Sequence, residues 1–341
     1  MADKVQDFAE YRIRQIEIAE SKYYKSLIDT LDRIEKRVVN LVASDLEDLE
    51  KVAQLRVAIR MRPKIKAILE QEYLKWSDTV VREGFNKQAK RIERAFKQIG
   101  NIPLRFQQLS NADLALIKNL KNQTFTQFKD VSNTFTRRLS EKVYQSVLAG
   151  VDFAELEQEM RQTINGIYAS SKDAEVNKLV AKIKRDEVKV RSIDKRTTSG
   201  RAVRERLTKN IQVLQTKFAR DRTGENMKRF AGQVLNDSLR EFDSQLNLAK
   251  SEDAGLTHVK YQGSLIPTTR DFCRLLKSGK LDKRRSGVFT IDEVKKLWRS
   301  RSWKGKKAGN PLIVRGGYNC RHQWSFVSPT WYDQDGKLII N

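Results

Sequence analysis

"YKSLIDTLDRIEKRVVNL", Tyr24 to Leu41, decides the class of fold. Tyr24, Leu27, Leu31, Ile34, Val38 and Leu41 recur three and four residues apart, the spacing of one face of an α-helix. Lys, Arg, Asp and Glu occupy most of the positions between. The same texture runs outward for most of the chain. Ser44 followed by Glu47 predicts a capping box. Pro63 is placed as at a helix start, ahead of a stripe of Ile65, Leu69, Tyr73, Trp76 and Val80, and Ala89, Ile92, Phe96 and Ile99 carry the pattern to Gly100. "NIPLRF" interrupts it. Ser110 and Asn111 then offer N-caps to a long helix through Phe128, Val131, Phe135, Leu139, Val143 and Val147, stopped by Gly150. Asp152 with Glu155 opens a segment ending near Asn165-Gly166, and two more helices are predicted from about Arg201 to Arg220 and from about Glu225 to Lys250. The stripes read as packing seams between antiparallel helices.

Composition changes near residue 255. Seven of the 16 glycines precede Gly255 and nine lie from it onward, while Trp298, Trp303, Trp324 and Trp331 leave only Trp76 to the longer first part. The expected fold is mainly α: long antiparallel helices over 1–254, followed by a small α+β module over 255–341. In that module "LTHVKYQGS" reads as a strand turning at Gly263, and "TTRDFCRLLKSGK" as a short helix capped by Thr268 or Thr269 and stopped at Gly279. Thr290 with Glu293 forms a capping box, and "NPLIVRGGYNCRHQWSFVS" reads as a loop, a Gly316-Gly317 turn and a closing strand. Along that strand Cys320, His322 and Trp324 alternate onto one face.

The formal net charge is +24 over 341 residues. An excess of this size favours a polyanionic partner over mere solubility, because it costs self-repulsion in the compact state. It is unevenly spread. Residues 182–209 carry a net +7 and, with "TTSG" at their middle, read either as a basic linker ordered by a partner or as a solvated helical face. Residues 256–315 carry a net +12, with Lys283, Arg284, Arg285, Arg299, Arg301, Lys304, Lys306 and Lys307 as the candidate nucleic-acid contacts. Such loops suit phosphates, which are bound without reading sequence. Trp298 and Trp303 could stack on bases, though core anchoring is the favoured role. No helix-turn-helix, zinc-finger or RNP signature supports sequence-specific recognition. No run approaches the roughly 18 apolar residues of a membrane span, and "MADKVQDFAEYRIRQ" has no apolar stretch of a signal peptide. Folding in the cytosol of the producing cell is expected.

The chain has two cysteines and two histidines, and all four, His258, Cys273, Cys320 and His322, fall in the module. They could ligate a structural zinc, pair Cys273 with Cys320 as a disulfide, or simply pack as small and aromatic groups. Catalysis is the reading least favoured. Cys320 and His322, two apart on a strand, are too loosely placed to argue a nucleophile dyad, and the phosphate-loop glycine motifs are missing.

Taken in order, the strand, "PTTRDFCRLLKSGK", the Trp298 segment "VKKLWRS" and "NPLIVRGGYNCRHQWSFV" resemble the C-terminal module of phage minor head proteins, the head-morphogenesis family typified by the F protein of phage Mu. Arg270 and Cys273 fill its first element, Gly279 its glycine, and Cys320, Arg321 and His322 its closing element, with Gly316, Gly317 and Trp324 alongside. The resemblance covers about 256–327. It departs from the family in lacking a further Cys or His shortly after Cys273 and in a shortened approach, "NPLIV", to the last strand. It implies a virion component made in the host cytoplasm. Portal protein, major capsid protein or both would be its protein partners, non-specifically bound double-stranded DNA its nucleic-acid partner, and head assembly, packaging or DNA delivery its role. A nucleic-acid-binding protein with no capsid role is the competing reading, and a nuclease the third. Neither an enzyme activity nor a cofactor beyond the possible zinc is expected.

Overall fold

A computed structural model describes residues 4–46, 49–98, 108–150, 153–166, 178, 182, 185–186, 189, 193, 197–220, 226–277 and 287–331. The chain is mainly helical and ends in a small sheet. Helix α1 is Lys4–Leu46, α2 is Lys51–Leu69, α3 is Lys75–Thr79 and α4 is Phe85–Gln98; single π-helical turns at Glu70–Leu74 and Val80–Gly84 join α2 to α3 and α3 to α4. Then come α5, Asn111–Ala149, α6, Phe153–Asn165, α7, Thr198–Arg220, and α8, Met227–Asp253. No helix among the described residues is long and apolar enough to cross a membrane.

The stripe that opened the reading is buried: Leu27, Leu31, Ile34 and Val38 are fully covered, but the face is completed by Tyr23 and Val42 in place of Tyr24 and Leu41. Ile65, Leu69, Tyr73, Trp76 and Val80 are likewise buried, as are Ala89 and Ile92. Ile99 and Gly100, and the side chain of Phe96, lie outside the described residues. Ser110 caps α5 as expected: its Oγ accepts from the Asp113 amide at 3.1 Å, and Asp113 Oδ2 accepts from the Ser110 amide at 2.8 Å.

Several local expectations are corrected. Ser44 sits inside α1, its hydroxyl donating to the Leu41 carbonyl, and Glu47 lies outside the described residues. Pro63 is inside α2, not at its start. A proline there deprives the Ile59 carbonyl of its helical donor, but Pro63 and Ile59 are both exposed, so the gap faces water. Thr198 to Gly200, in the segment read either as a basic linker or as a solvated helical face, open α7, ahead of the start expected near Arg201, with the Thr197 hydroxyl accepting from the Gly200 amide at 3.0 Å.

Contacts group the chain into two compact units. One comprises Ile28–Tyr73 and Val131–Ala231. In it Phe135 and Phe230 pack at 5.7 Å with the Arg138 guanidinium over both rings, and Glu72 accepts from Arg33 and Arg37 at 2.9 Å each. The other comprises Met1–Leu27, Leu74–Asp130 and Gly232–Asn341, and so holds the C-terminal sheet. There Trp76 meets Phe128 edge-on, Phe85 packs on Phe242 at 4.3 Å, and charges on α8 are buried in pairs: Asp243 with Arg12, Lys250 with Asp113 at 3.1 Å.

The sheet has β1, His258–Gln262, at its centre, antiparallel to β2, Val288–Thr290, and to β3, Gln323–Val327. Helices α9, Asp271–Lys277, α10, Ile291–Ser300, and the single turn α11, Pro311–Val314, pack with it. The Thr290–Glu293 capping box on α10 is present in both directions. "NPLIV", read as loop, is α11: Asn310 caps it and Pro311 takes the first helical position, where a missing N–H costs nothing. Thr269 closes the turn before α9 by accepting from the Ile266 amide, and Gly279 lies outside the described residues. Val259, Phe272, Phe289, Val294, Trp298, Trp324 and Val327 form the core, which Leu248 of α8 joins. Each such side chain contributes on the order of 2 kcal/mol by burial.

Candidate metal centre and basic surface

Cys273 comes from α9, and Cys320 and His322 from the turn entering β3; all three are buried. Their ligand atoms lie within 4.8 Å of one another. The sulfurs are 3.9 Å apart, and Cys320 Sγ is 3.8 Å from His322 Nδ1. Tetrahedral coordination at a Zn–S length of about 2.3 Å sets two sulfurs about 3.8 Å apart, so the donor set fits zinc without rearrangement of the cysteines. Tyr261 Oη stands beside both sulfurs, at 3.3 and 3.4 Å. Its ring stacks on His322 at 5.1 Å and tilts against Trp324 at 4.5 Å.

His258 does not join them. It pairs with Thr290 and Val327, four residues along β1 from Gln262, which is roughly 13 Å of strand. Its Nδ1 lies 2.9 Å from the Thr257 hydroxyl. Both cysteines are free thiols.

The electrostatics favour one thiolate. Burial opposes ionisation of Cys320, but hydrogen bonding with Cys273 and His322 and the electrostatic influence of His322 and Arg315 overcome it, holding this thiol well below its ordinary range. Cys273 is pushed the other way, by its hydrogen bond to Cys320 and then by burial. Burial and the adjacent thiols push the Tyr261 hydroxyl well above its ordinary range.

Two glycines make the room. A Cβ on Gly316 would stand 2.4 Å from Cys273 Sγ and 3.0 Å from Cys320 Sγ; one on Gly317 would stand 2.1 Å from the Gly305 carbonyl oxygen. Arg270 locks the surrounding loops, donating to the carbonyls of Lys304 at 3.2 Å and Tyr318 at 2.5 Å. The Arg321 carbonyl, between the two ligands of the closing turn, accepts from Arg240 of α8 at 2.9 Å.

Asp237 of α8 holds the same turn from the other side, accepting from the Asn319 amide at 2.8 Å. Burial is the main reason its carboxyl is raised to about 6; Glu241 adds to this, while the Asn319 bond, Lys307 and Arg315 oppose it. A carboxyl raised on folding stabilises below its unfolded value near 3.9 and loses that contribution as pH rises through the folded value. Stability is therefore expected to fall between about pH 4 and about pH 6 on this account. Asp237→Asn keeps the acceptor and removes the charge. It should raise stability at pH 8 by about 1–2 kcal/mol and leave it unchanged near pH 4, as thermal melts at the two pH values will show.

The predicted basic residues divide. Arg299, Arg301 and Lys304 are exposed on and after α10, together with Lys296. Lys306 is committed inward: its ammonium donates to the Trp298 and Arg301 carbonyls and lies 5.0 Å from the Trp298 and Trp303 rings. Lys307 pairs with Glu241. Trp298 is buried and Trp303 stacks on Phe272 at 4.3 Å, so both tryptophans serve the core. Lys283, Arg284 and Arg285 lie outside the described residues.

Comparison of the chain with protein families, with curated proteins and with solved structures finds no match.

Proposed function

We propose that this chain is a minor head protein of a phage, a structural component whose C-terminal module lies against packaged DNA. The observation that carries the reading is charge: a net +12 over residues 256–315, with Lys296, Arg299, Arg301 and Lys304 turned to solvent on one helix and the loop after it. Cations so placed meet phosphates without base readout, and the run from Lys295 to Lys307 contains no acidic residue of its own, although Lys295 and Lys307 at its ends pair with Asp292 and Glu241.

The family resemblance is supported by how its residues work together. Elements some 50 residues apart, Arg270 and Cys273 on one side and Cys320, Arg321 and His322 on the other, meet in one buried cluster and one locked pair of loops. In this reading Cys273, Cys320 and His322 hold a structural zinc, with the Tyr261 oxygen beside it. The metal would tie α9 to the turn entering β3. A portal or capsid protein would be the protein partner.

The test is binding to a duplex of arbitrary sequence. Affinity should fall by about 10²-fold or more between roughly 50 and 200 mM salt, and the quadruple K296E/R299E/R301E/K304E variant should lower both the affinity and the salt slope. An unchanged slope in that variant refutes the assigned surface. Copurification with capsids separates a head protein from a nucleic-acid-binding protein without a capsid role.

A further inference from the structure

Helix α2 carries Lys51, Arg56, Arg60, Arg62, Lys64 and Lys66 and not one acidic residue. Two of these charges are answered within the chain, Lys64 by Asp45 at 2.5 Å and Lys66 by Glu70 at 3.7 Å. No ion pair among the described residues involves Arg56, Arg60 or Arg62, and all three are exposed.

The apolar residues of α2 have two destinations. Ala58, Met61, Ile65, Ile68 and Leu69 are buried. Val52 and Ile59 are not: they are 65% and 66% exposed, more than any other large hydrophobic residue described. Val52, Ile59 and the exposed Pro63 stand seven and four residues apart, which at 3.6 residues per turn places them along one line. On the same wheel Arg56 and Arg60 flank that line on one side and Arg62 on the other. An apolar seam at heptad-like spacing with charge on both shoulders is the pattern by which one helix selects another.

We propose that this outward face of α2 is a docking ridge for an acidic amphipathic helix of a partner protein, apolar along its seam and bearing Asp or Glu on its shoulders. Charge complementarity fixes the sign of the occupant, and the apolar line fixes its kind. A second copy of this chain would oppose arginine with arginine. A DNA backbone offers Val52 and Ile59 nothing but desolvated phosphate. A bilayer favours a wide apolar face with aromatic anchors, whereas this one is narrow and aliphatic. The inference is independent of the DNA reading, because none of its residues belongs to the basic C-terminal surface.

The probe is a synthetic helical peptide with Leu at its seam positions and Glu flanking them, titrated onto the full chain by fluorescence anisotropy. Binding should be saturable, should weaken with salt, and should fall about tenfold or more in both the I59D and the R56E/R60E variants. Because both sites are exposed, circular dichroism and melting temperature should be unchanged, which excludes unfolding as the cause. Duplex binding should survive in the same variants. Failure of the peptide to bind at low salt, or binding indifferent to I59D, overturns the proposal. Tighter association with vesicles of about one-third phosphatidylserine, lost in the same variants, overturns it in favour of a lipid surface.

Discussion

Gly316→Ala is expected to cost this protein more than about 3 kcal/mol and to abolish the zinc binding proposed for Cys273, Cys320 and His322. The backbone at Gly316 is not in the left-handed region, so alanine can adopt its conformation and the effect reports space alone. The added carbon would lie 2.4 Å from Cys273 Sγ and 3.0 Å from Cys320 Sγ. Neither sulfur can yield cheaply: Cys273 is fixed in α9, and Cys320 is held in the turn by Asp237 and Arg240 acting on its neighbours. Separating the sulfurs removes the spacing that zinc requires. Thermal unfolding and elemental analysis of wild type and variant are the two measurements. Gly255→Asn is the control, since nothing lies within 4 Å of that position and Asn tolerates its positive φ; it should change little. A Gly316→Ala protein with unaltered melting temperature would refute the packing account. Wild-type protein purified without chelator and free of zinc would refute the metal while leaving the predicted stability loss in place.

What could be read from the sequence was what is local. The Leu27–Val38 stripe, the Ser110–Asp113 cap, the stop at Gly150 and the Thr290–Glu293 capping box each need only a few neighbouring residues, and each is present. Where local signals competed, the stronger one was not always visible. Ser44 could cap a helix, but α1 continues past it because Val42 and Leu46 keep burying the same face. Asn310-Pro311 was itself a helix-start signal, masked by the shortness of the turn it opens. The candidate site was half legible. Scarcity of Cys and His pointed to the cluster, yet choosing between His258 and His322 required the register of β1 against β3, which no local pattern carries. Tyr261 was missed for the same reason: period-two alternation puts it on a strand face, and only the pairing of Tyr261 with Trp324 puts that face under the sulfurs. Charge composition gave the sign of the module but not which cations are spent inside it, as Lys306 and Lys307 are.

Arg240→Met should destabilise the protein by about 3–5 kcal/mol near neutral pH, although methionine nearly matches the buried stem. Arg240 is fully buried. It donates to Glu20 at 2.7 Å, to the Arg321 carbonyl at 2.9 Å and to Asn236 at 3.2 Å. Its loss leaves the partly buried Glu20 charge without its partner and the Arg321 carbonyl, in the turn that carries Cys320 and His322, without its donor. A charge stranded by removal of one partner is penalised far more than a pair replaced whole. The Glu20→Gln/Arg240→Met double variant should therefore recover part of the loss in a denaturant titration. The pH dependence is a second, independent mark. Glu17, already raised by burial and by Glu20, is held down chiefly by Arg240. Without the arginine the carboxyl of Glu17 rises further on folding, and a group raised on folding stabilises at low pH and loses that stabilisation as pH increases. The deficit of Arg240→Met relative to wild type should accordingly shrink between about pH 7.5 and about pH 5. A deficit that stays constant across this range would mean that lost packing, not a stranded carboxylate, is what Arg240 prevents. A double variant no better than the single one would lead to the same conclusion.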